Sequence, residues 1–408
     1  MKTYILEKLL RLFTSLITSA LAISRLGLGG YGLYASFLLP IPIVLLLSSA
    51  GVRNRVRTVS LDDSTSNAEY VLAFFTELLI SAFLSILLFI YYYFIIHSIR
   101  LALLLTFIAA LAAFFNCFEL EEVVFIVRRR IRLLGFLSFS QLVLSLLIKL
   151  FVLLSIPSAF NLLSTQVADQ FLYAFLLASF SPASSKLLSS FRTLTPATII
   201  SELPAYIKQS FLALVVEAQI VLQSRSDQFI LVYIFSPSVY GLYSLASRFI
   251  DLQRYFQSQL NTYFLPVASD LHSINLQKRI LLRRFSILVL SSSLLLPLSV
   301  ALLYVFYQST NFTVLPVSNP NYSALFLCLA LFLLPFYSFG HTLSLLQRNR
   351  LPAQYSACVY AIYLFILYIL STSFGFFGAL ISLNLFLFFQ VVPYLRVIKS
   401  VVTDIFSD

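Results

Sequence analysis

The sequence predicts an all-α polytopic membrane protein. About twelve transmembrane helices would form two six-helix lobes related by a pseudo-two-fold axis along the membrane normal. Three observations point there. Hydrophobic residues make up 60% of the 408 residues and charged residues only 11%, with a mean hydropathy of +0.94. A soluble domain carries roughly 25% charged residues, so this chain cannot cover itself with polar surface. Apolar runs of the length that crosses hydrocarbon recur along the chain. Finally, the tetrapeptide YGLY occurs twice, at Tyr31–Tyr34 and Tyr240–Tyr243, 209 positions apart.

The spans read at about 9–24, 34–52, 70–96, 101–118, 133–156, 171–188, 206–235, 239–267, 285–307, 322–346, 353–372 and 376–398. The first lacks a convincing A-x-A cleavage site and is read as a mature helix. Cations punctuate the series in order. Lys2, Lys8 and Arg11 flank span 1. Arg53, Arg55 and Arg57 follow span 2, and Arg128, Arg129, Arg130 and Arg132 follow span 4. Lys186, Arg192 and Lys208 follow span 6, and Lys278, Arg279, Arg283 and Arg284 follow span 8. Arg348 and Arg350 follow span 10, and Arg396 and Lys399 close span 12. The opposite segments hold only Arg25 and Arg100. Cytoplasmic segments carry the excess of Lys and Arg, so both termini are expected in the cytoplasm. The net charge of +11 then reads as an anchoring bias and gives no reason to expect nucleic acid as a partner. Pro40, Pro42, Pro297, Pro335 and Pro393 interrupt spans and mark kinks or hinges.

Both YGLY copies lie between an odd and an even span, six spans apart, which is the signature of a parallel repeat. The expected organisation is an N-terminal lobe at 1–188, a cytoplasmic linker at 189–205 and a C-terminal lobe at 206–408. A shift of 209 positions also lays the polar break TSLITS (Thr14–Ser19) on QSRSDQ (Gln223–Gln228). Paired interruptions of this kind point to a transport site. Ser and Thr can equally bond their own helix backbone.

Other chemistries find little footing. Cys117, Cys328 and Cys358 are scattered, as are His97, His272 and His341, so neither a disulfide frame nor a metal site is expected. The sequence contains no Walker motif or catalytic triad. The expected outer stretches, about 157–170 and 308–321, are short and lack Lys, Arg and His. A membrane polymerase or ligase would be expected to carry a large outer loop with catalytic residues.

Three stretches resemble a known family. SRLGLGGYGLYASFLLPIPIVLLLSSAGVRNRVR looks like the first helical hairpin of the polysaccharide-biosynthesis, or O-antigen (Wzx-type), flippases. SRSDQFILVYIFSPSVYGLYSLASRFIDLQRYFQSQLNTYFLPVASDL resembles the start of their second lobe. SFGFFGALIS (Ser373–Ser382) is similar to the Gly-x-x-Gly-Ala turn before their last helix. The family belongs to the multidrug/oligosaccharidyl-lipid/polysaccharide (MOP) superfamily. The resemblance implies a MATE-like fold of two bundles around a central cavity. It implies a non-enzymatic transporter in the bacterial inner membrane that moves a polyprenyl-diphosphate-linked oligosaccharide by alternating access, for O-antigen, capsule or exopolysaccharide export. Membrane lipids, a polysaccharide polymerase and a chain-length regulator are the implied partners. No cofactor is expected, and proton or sodium coupling is left open. The rivals are a cation-coupled multidrug exporter of the same superfamily, a polymerase or ligase, and a non-transporting scaffold.

Charges within the spans supply the candidate site. At 1.5 Å per residue, Asp227 lies ~12 Å and Arg248 ~14 Å below the outer ends of spans 7 and 8. Antiparallel neighbours would bring Arg225, Asp227, Arg248 and Asp251 to one level. Such a network is either a closed ion-pair lock or the wall of a water-filled cavity, where Arg engages diphosphate bidentately. Arg254 and Arg25 join the substrate-binding candidates. Glu217, Glu77 and Lys149 are the candidate coupling or protonatable groups. Lys149 is also long enough to snorkel outward, and Glu77 is close enough to the cytoplasmic interface to reach it.

Overall fold

The computed structural model describes residues 2–49, 52–53, 64–127, 130–180, 201–208, 225–268, 325–337 and 351–406. Most of the expected linker, span 9 and Glu217 lie outside the described residues. Among the described residues every regular element is helical, as an all-α membrane protein requires. The chain divides into two compact units, Met1–Phe229 and Ile230–Asp408.

In the first unit, α1 (Lys2–Leu38) and α2 (Pro40–Ser49) are followed by α3 (Ser64–Ile96) and α4 (Ile99–Asn116). A 3-10 turn (Cys117–Glu119) leads into α5 (Leu120–Val127), α6 (Ile131–Ser155) and α7 (Ala159–Phe180). α8 spans 201–208, and α9, 225–234, begins in the first unit and ends in the second. α3 packs along α4, α1 against α6 and α7, and α2 into the groove of α3 and α4. Large apolar side chains such as Phe83, Phe107, Phe136 and Phe151 remain exposed. On helices this apolar, such faces meet lipid. The second unit contains α10 (Pro237–Ala268), α11 (Leu325–Tyr337) and α12 (Leu351–Phe406). Its core gathers Ile250, Ala330, Leu331, Leu334, Leu383 and Leu387.

Two glycines turn single helical runs into hairpins. Gly27 (φ 70°, ψ 172°) interrupts α1 and Gly375 (φ 59°, ψ −139°) interrupts α12. Side chains strongly disfavour this backbone region. The Tyr31 hydroxyl donates to Ser19 Oγ at 3.2 Å. In a straight helix twelve residues would put these positions ~18 Å apart, so the chain doubles back at Gly27. Three residues after each break comes a second glycine, Gly30 or Gly378. A Cβ on Gly378 would lie 1.9 Å from the Leu370 carbonyl oxygen, so the arms of α12 close only on glycine.

Both YGLY copies occupy one local position. Tyr31 follows the Gly27 break by four residues, and Tyr240 follows the Ser236 turn by four. Tyr31, Tyr34, Tyr240 and Tyr243 are all buried. The first copy opens the second arm of the α1 hairpin, and the second lies in the first turns of α10.

Span 6 needs correcting. The expected outer stretch 157–170 is the beginning of α7, which starts at Ala159. Ser158 caps it, its Oγ accepting from the Asn161 N–H at 3.0 Å. Thr165 and Asp169 face inward. Their polarity lowers local hydropathy without exposing the helix to water.

Pro40 supplies a kink with its own repair. It has no N–H for the Ser36 carbonyl. The Tyr91 hydroxyl of α3 donates to that oxygen at 3.0 Å, and the Tyr92 hydroxyl donates to the Phe37 carbonyl at 2.7 Å.

Gly378→Ala is expected to cost about 1–3 kcal/mol through overpacking against backbone. Fluorescence-detected size exclusion of the detergent-solubilised variant should show less monodisperse protein and a lower melting midpoint than wild type. Unchanged values would contradict the tight Leu370 approach.

Candidate functional site

Among the described residues of the first unit, two networks of buried charges stand out. The first gathers on Arg53, just past α2. Its Nε donates to Glu77 Oε1 of α3 at 3.2 Å, and its Nη1 to Glu119 Oε2 of the 3-10 turn at 2.8 Å. Nη2 donates to the Asn116 carbonyl at 3.2 Å. The Asn116 amide in turn donates to the Leu45 carbonyl at 3.2 Å, tying the end of α2 to α4. Burial alone would lower the Arg53 pKa. Glu77 and then Glu119 outweigh it and raise the pKa above the ordinary arginine value. Glu77 is completely buried, so it does not reach an aqueous interface, and among the described residues no group bonds its Oε2. Beside this network, Val52, Tyr70, Cys117, Leu120, Val123 and Tyr206 pack as an apolar cluster.

The second network joins α6 and α7. Lys149 Nζ pairs with Asp169 Oδ2 and donates to Ser145 Oγ at 2.9 Å. Lys149 therefore does not snorkel outward. A carboxylate on the facing helix offers its ammonium a partner at depth. Ser138, Gln141 and Ser145 are buried on α6, at spacings that place them with Lys149 on one face. Ser138 shares a hydrogen bond of 3.2 Å with Tyr173, whose hydroxyl also lies 3.3 Å from Glu122 Oε2 and donates to it.

The polar break of span 1 combines both readings of its residues. Thr18 Oγ1 bonds the Thr14 carbonyl of its own helix at 2.7 Å, whereas Ser19 accepts from Tyr31 across the hairpin. Arg25 is exposed close to the Gly27 break. Arg225 and Asp227 stand half-buried on α9 in the first unit, where Asp227 Oδ1 accepts from the Gln228 N–H at 2.8 Å. Arg248, Asp251 and Arg254 are half-buried on α10 in the second unit. Their three-residue spacing places successive members one turn apart.

Sequence reading assigned Arg53 to anchoring and singled out neither Asn116, Glu119 nor Asp169. The signal for Asp169 was its acid within an otherwise uncharged helical stretch, facing a lone lysine one span earlier.

No family model matches the chain, and no curated protein matches it. Solved structures do. The lipid II flippase MurJ, in an inward closed conformation, superposes with a TM-score of 0.69 at 15% identity, covering 98% of this chain and 88% of that one. An inward-facing multidrug resistance MATE family transporter of the MOP superfamily gives 0.61 at 12% identity, covering 95% of each chain. The eukaryotic MATE transporter AtDTX14 gives 0.53 at 12% identity, covering 97% of this chain and 91% of that one. At these identities the shared property is the fold, which is that of membrane transporters.

Loss of either partner in the Lys149–Asp169 pair leaves one buried charge uncompensated, a cost of about 3–5 kcal/mol. Lys149→Ala and Asp169→Ala should each lower membrane abundance on quantitative blots. Lys149→Met combined with Asp169→Leu should recover most of it. A double variant no more abundant than the singles would argue against the pairing.

Proposed function

We propose that the protein is a flippase for polyprenyl-diphosphate-linked oligosaccharides, working by alternating access in the bacterial inner membrane with both termini cytoplasmic. The supporting observation is a fold shared over 98% of the chain with a lipid flippase. The sequence resemblance to O-antigen flippases points to the same substrate class. On this reading the oligosaccharide serves O-antigen, capsule or exopolysaccharide export, and a polymerase with a chain-length regulator acts downstream. The second reading is a cation-coupled exporter of small molecules. The MATE likeness and the buried carboxylates Glu77 and Asp169 favour it.

Arg248, with Arg225 and Arg254, is the proposed diphosphate-binding group. A guanidinium offers a planar fork of donors that matches phosphate oxygens. Asp227 and Asp251 would hold these arginines in place when substrate is absent. Arg25 would guide the anionic headgroup in, and Glu217 would join Glu77 and Lys149 as candidate coupling groups.

The test uses proteoliposomes carrying a fluorescent short-chain polyprenyl-diphosphate disaccharide in both leaflets, with dithionite quenching as the readout. Wild type should expose inner-leaflet lipid that empty liposomes protect. Extrusion of an amphipathic cation without lipid exposure would select the exporter instead.

Arg248→Ala should be as abundant as wild type and flip the lipid at least about tenfold more slowly. Arg248→Lys should recover only part of the rate. Arg248→Ala with Asp251→Ala should not recover it. Full flipping by abundant Arg248→Ala protein would remove Arg248 from the site.

A further inference from the structure

Ion pairing alone leaves Glu77 unexplained. One guanidinium serves two carboxylates, so the Arg53–Glu77–Glu119 cluster carries a net negative charge when all three groups are ionised. The excess sits on a carboxylate with no exposed surface, and among the described residues no group bonds its Oε2. Arg53 spends three of its five N–H donors on Glu77 Oε1, Glu119 Oε2 and the Asn116 carbonyl, and neither of the remaining two reaches Glu77 Oε2.

Among the described residues the surroundings show no second cation. α2 (Pro40–Ser49) contains no titratable side chain. The 3-10 turn brings Glu119 and Cys117, both of which interact with Glu77. On α3 itself Tyr70 lies within electrostatic reach of Glu77, and its hydroxyl donates to Glu121 of α5. α8 contributes the Tyr206 ring to the adjoining apolar cluster. Among the described residues, the titratable neighbours other than Arg53 are neutral or acidic.

A single proton on Glu77 brings the triad to neutrality. We propose that Glu77 is a proton-binding site, loaded at Oε2 from water that reaches the cluster at Arg53 and Glu119. That direction follows from exposure. The Arg53 and Glu119 side chains are 18% and 17% exposed, and Glu77 is 0% exposed. The bound proton leaves by the same opening when Glu77 ionises. Protonation weakens the hold of Glu77 on Arg53 and leaves Glu119 as its charged partner. Arg53 lies just past α2 and its ligands belong to α3 and the end of α4, so the proton reaches the contact of three helices. As a coupling site this rests on the transporter reading above. As a proton site it does not.

The proton site is read on purified full-length protein without any substrate. Infrared difference spectra across a pH series report the band of a protonated buried carboxyl. Wild type should show a titrating band that Glu77→Gln lacks. Glu119→Gln removes a negative neighbour, which favours ionised Glu77, so its band should titrate at least about one pH unit lower. In proteoliposomes Glu77→Gln transport should lose the pH dependence seen for wild type. A titrating band unchanged in folded Glu77→Gln overturns the proposal. If Glu77→Gln does not fold, an unshifted band in Glu119→Gln overturns it. A response to sodium at constant pH, with no carboxyl titration, overturns it too. A Glu77 band that titrates in a protein unable to move polyprenyl lipid defeats the flippase reading and leaves the proton site standing.

Discussion

Hydrocarbon offers a peptide group no water, so every N–H and C=O within the bilayer must be bonded by the protein itself. That demand explains most of what is seen here. The described chain is helical throughout, because a helix satisfies its own backbone. Reversals are short; two turn on glycine, at Gly27 and Gly375, and another runs through His97 and Ser98. Carbonyls that draw extra donors meet side chains from neighbouring helices. Leu45 receives the amide of Asn116, and Phe326 receives the amide of Asn384 at 2.8 Å.

The same absence of water governs the charges. An acid or base near the centre of a spanning helix costs about 2.5–3.5 kcal/mol on insertion scales, so such groups keep partners or serve a purpose. The first unit places its two networks toward opposite ends of the bundle. Glu77 lies ~10 Å from Tyr70, where the apolar part of α3 begins, and Lys149 lies ~9 Å from the far end of α6. The Lys149–Asp169 pair balances its charge. The Arg53 cluster holds one acid too many.

Much of the fold was legible because membrane spans announce themselves by length and hydropathy. α3, α6, α10 and the two arms of α12 fall close to their expected ranges. Both YGLY copies sit near the start of a helical arm with their tyrosines buried. α7 was misplaced for a physical reason. Asn161, Ser164, Thr165, Gln166, Asp169 and Gln170 make its first turns look like a loop, yet the inward members are shielded by α6 and α1. Ion pairs were less legible than helices. Arg53 meets Glu119 across 66 positions, and nothing local in either segment encodes that meeting. An arginine just past a span end looks like a headgroup anchor until the fold supplies two carboxylates.

The proline kink in the second span has a mechanical consequence. Its freed carbonyl at Ser36 and the next one at Phe37 are bonded by hydroxyls of α3. Straightening or deepening the bend would break both bonds in a medium with no replacement donors. The end of α1, where the chain bends into α2, is thereby fastened to α3 at this height. Whatever flexing accompanies a working cycle must be absorbed elsewhere, so the bend here works as a brace.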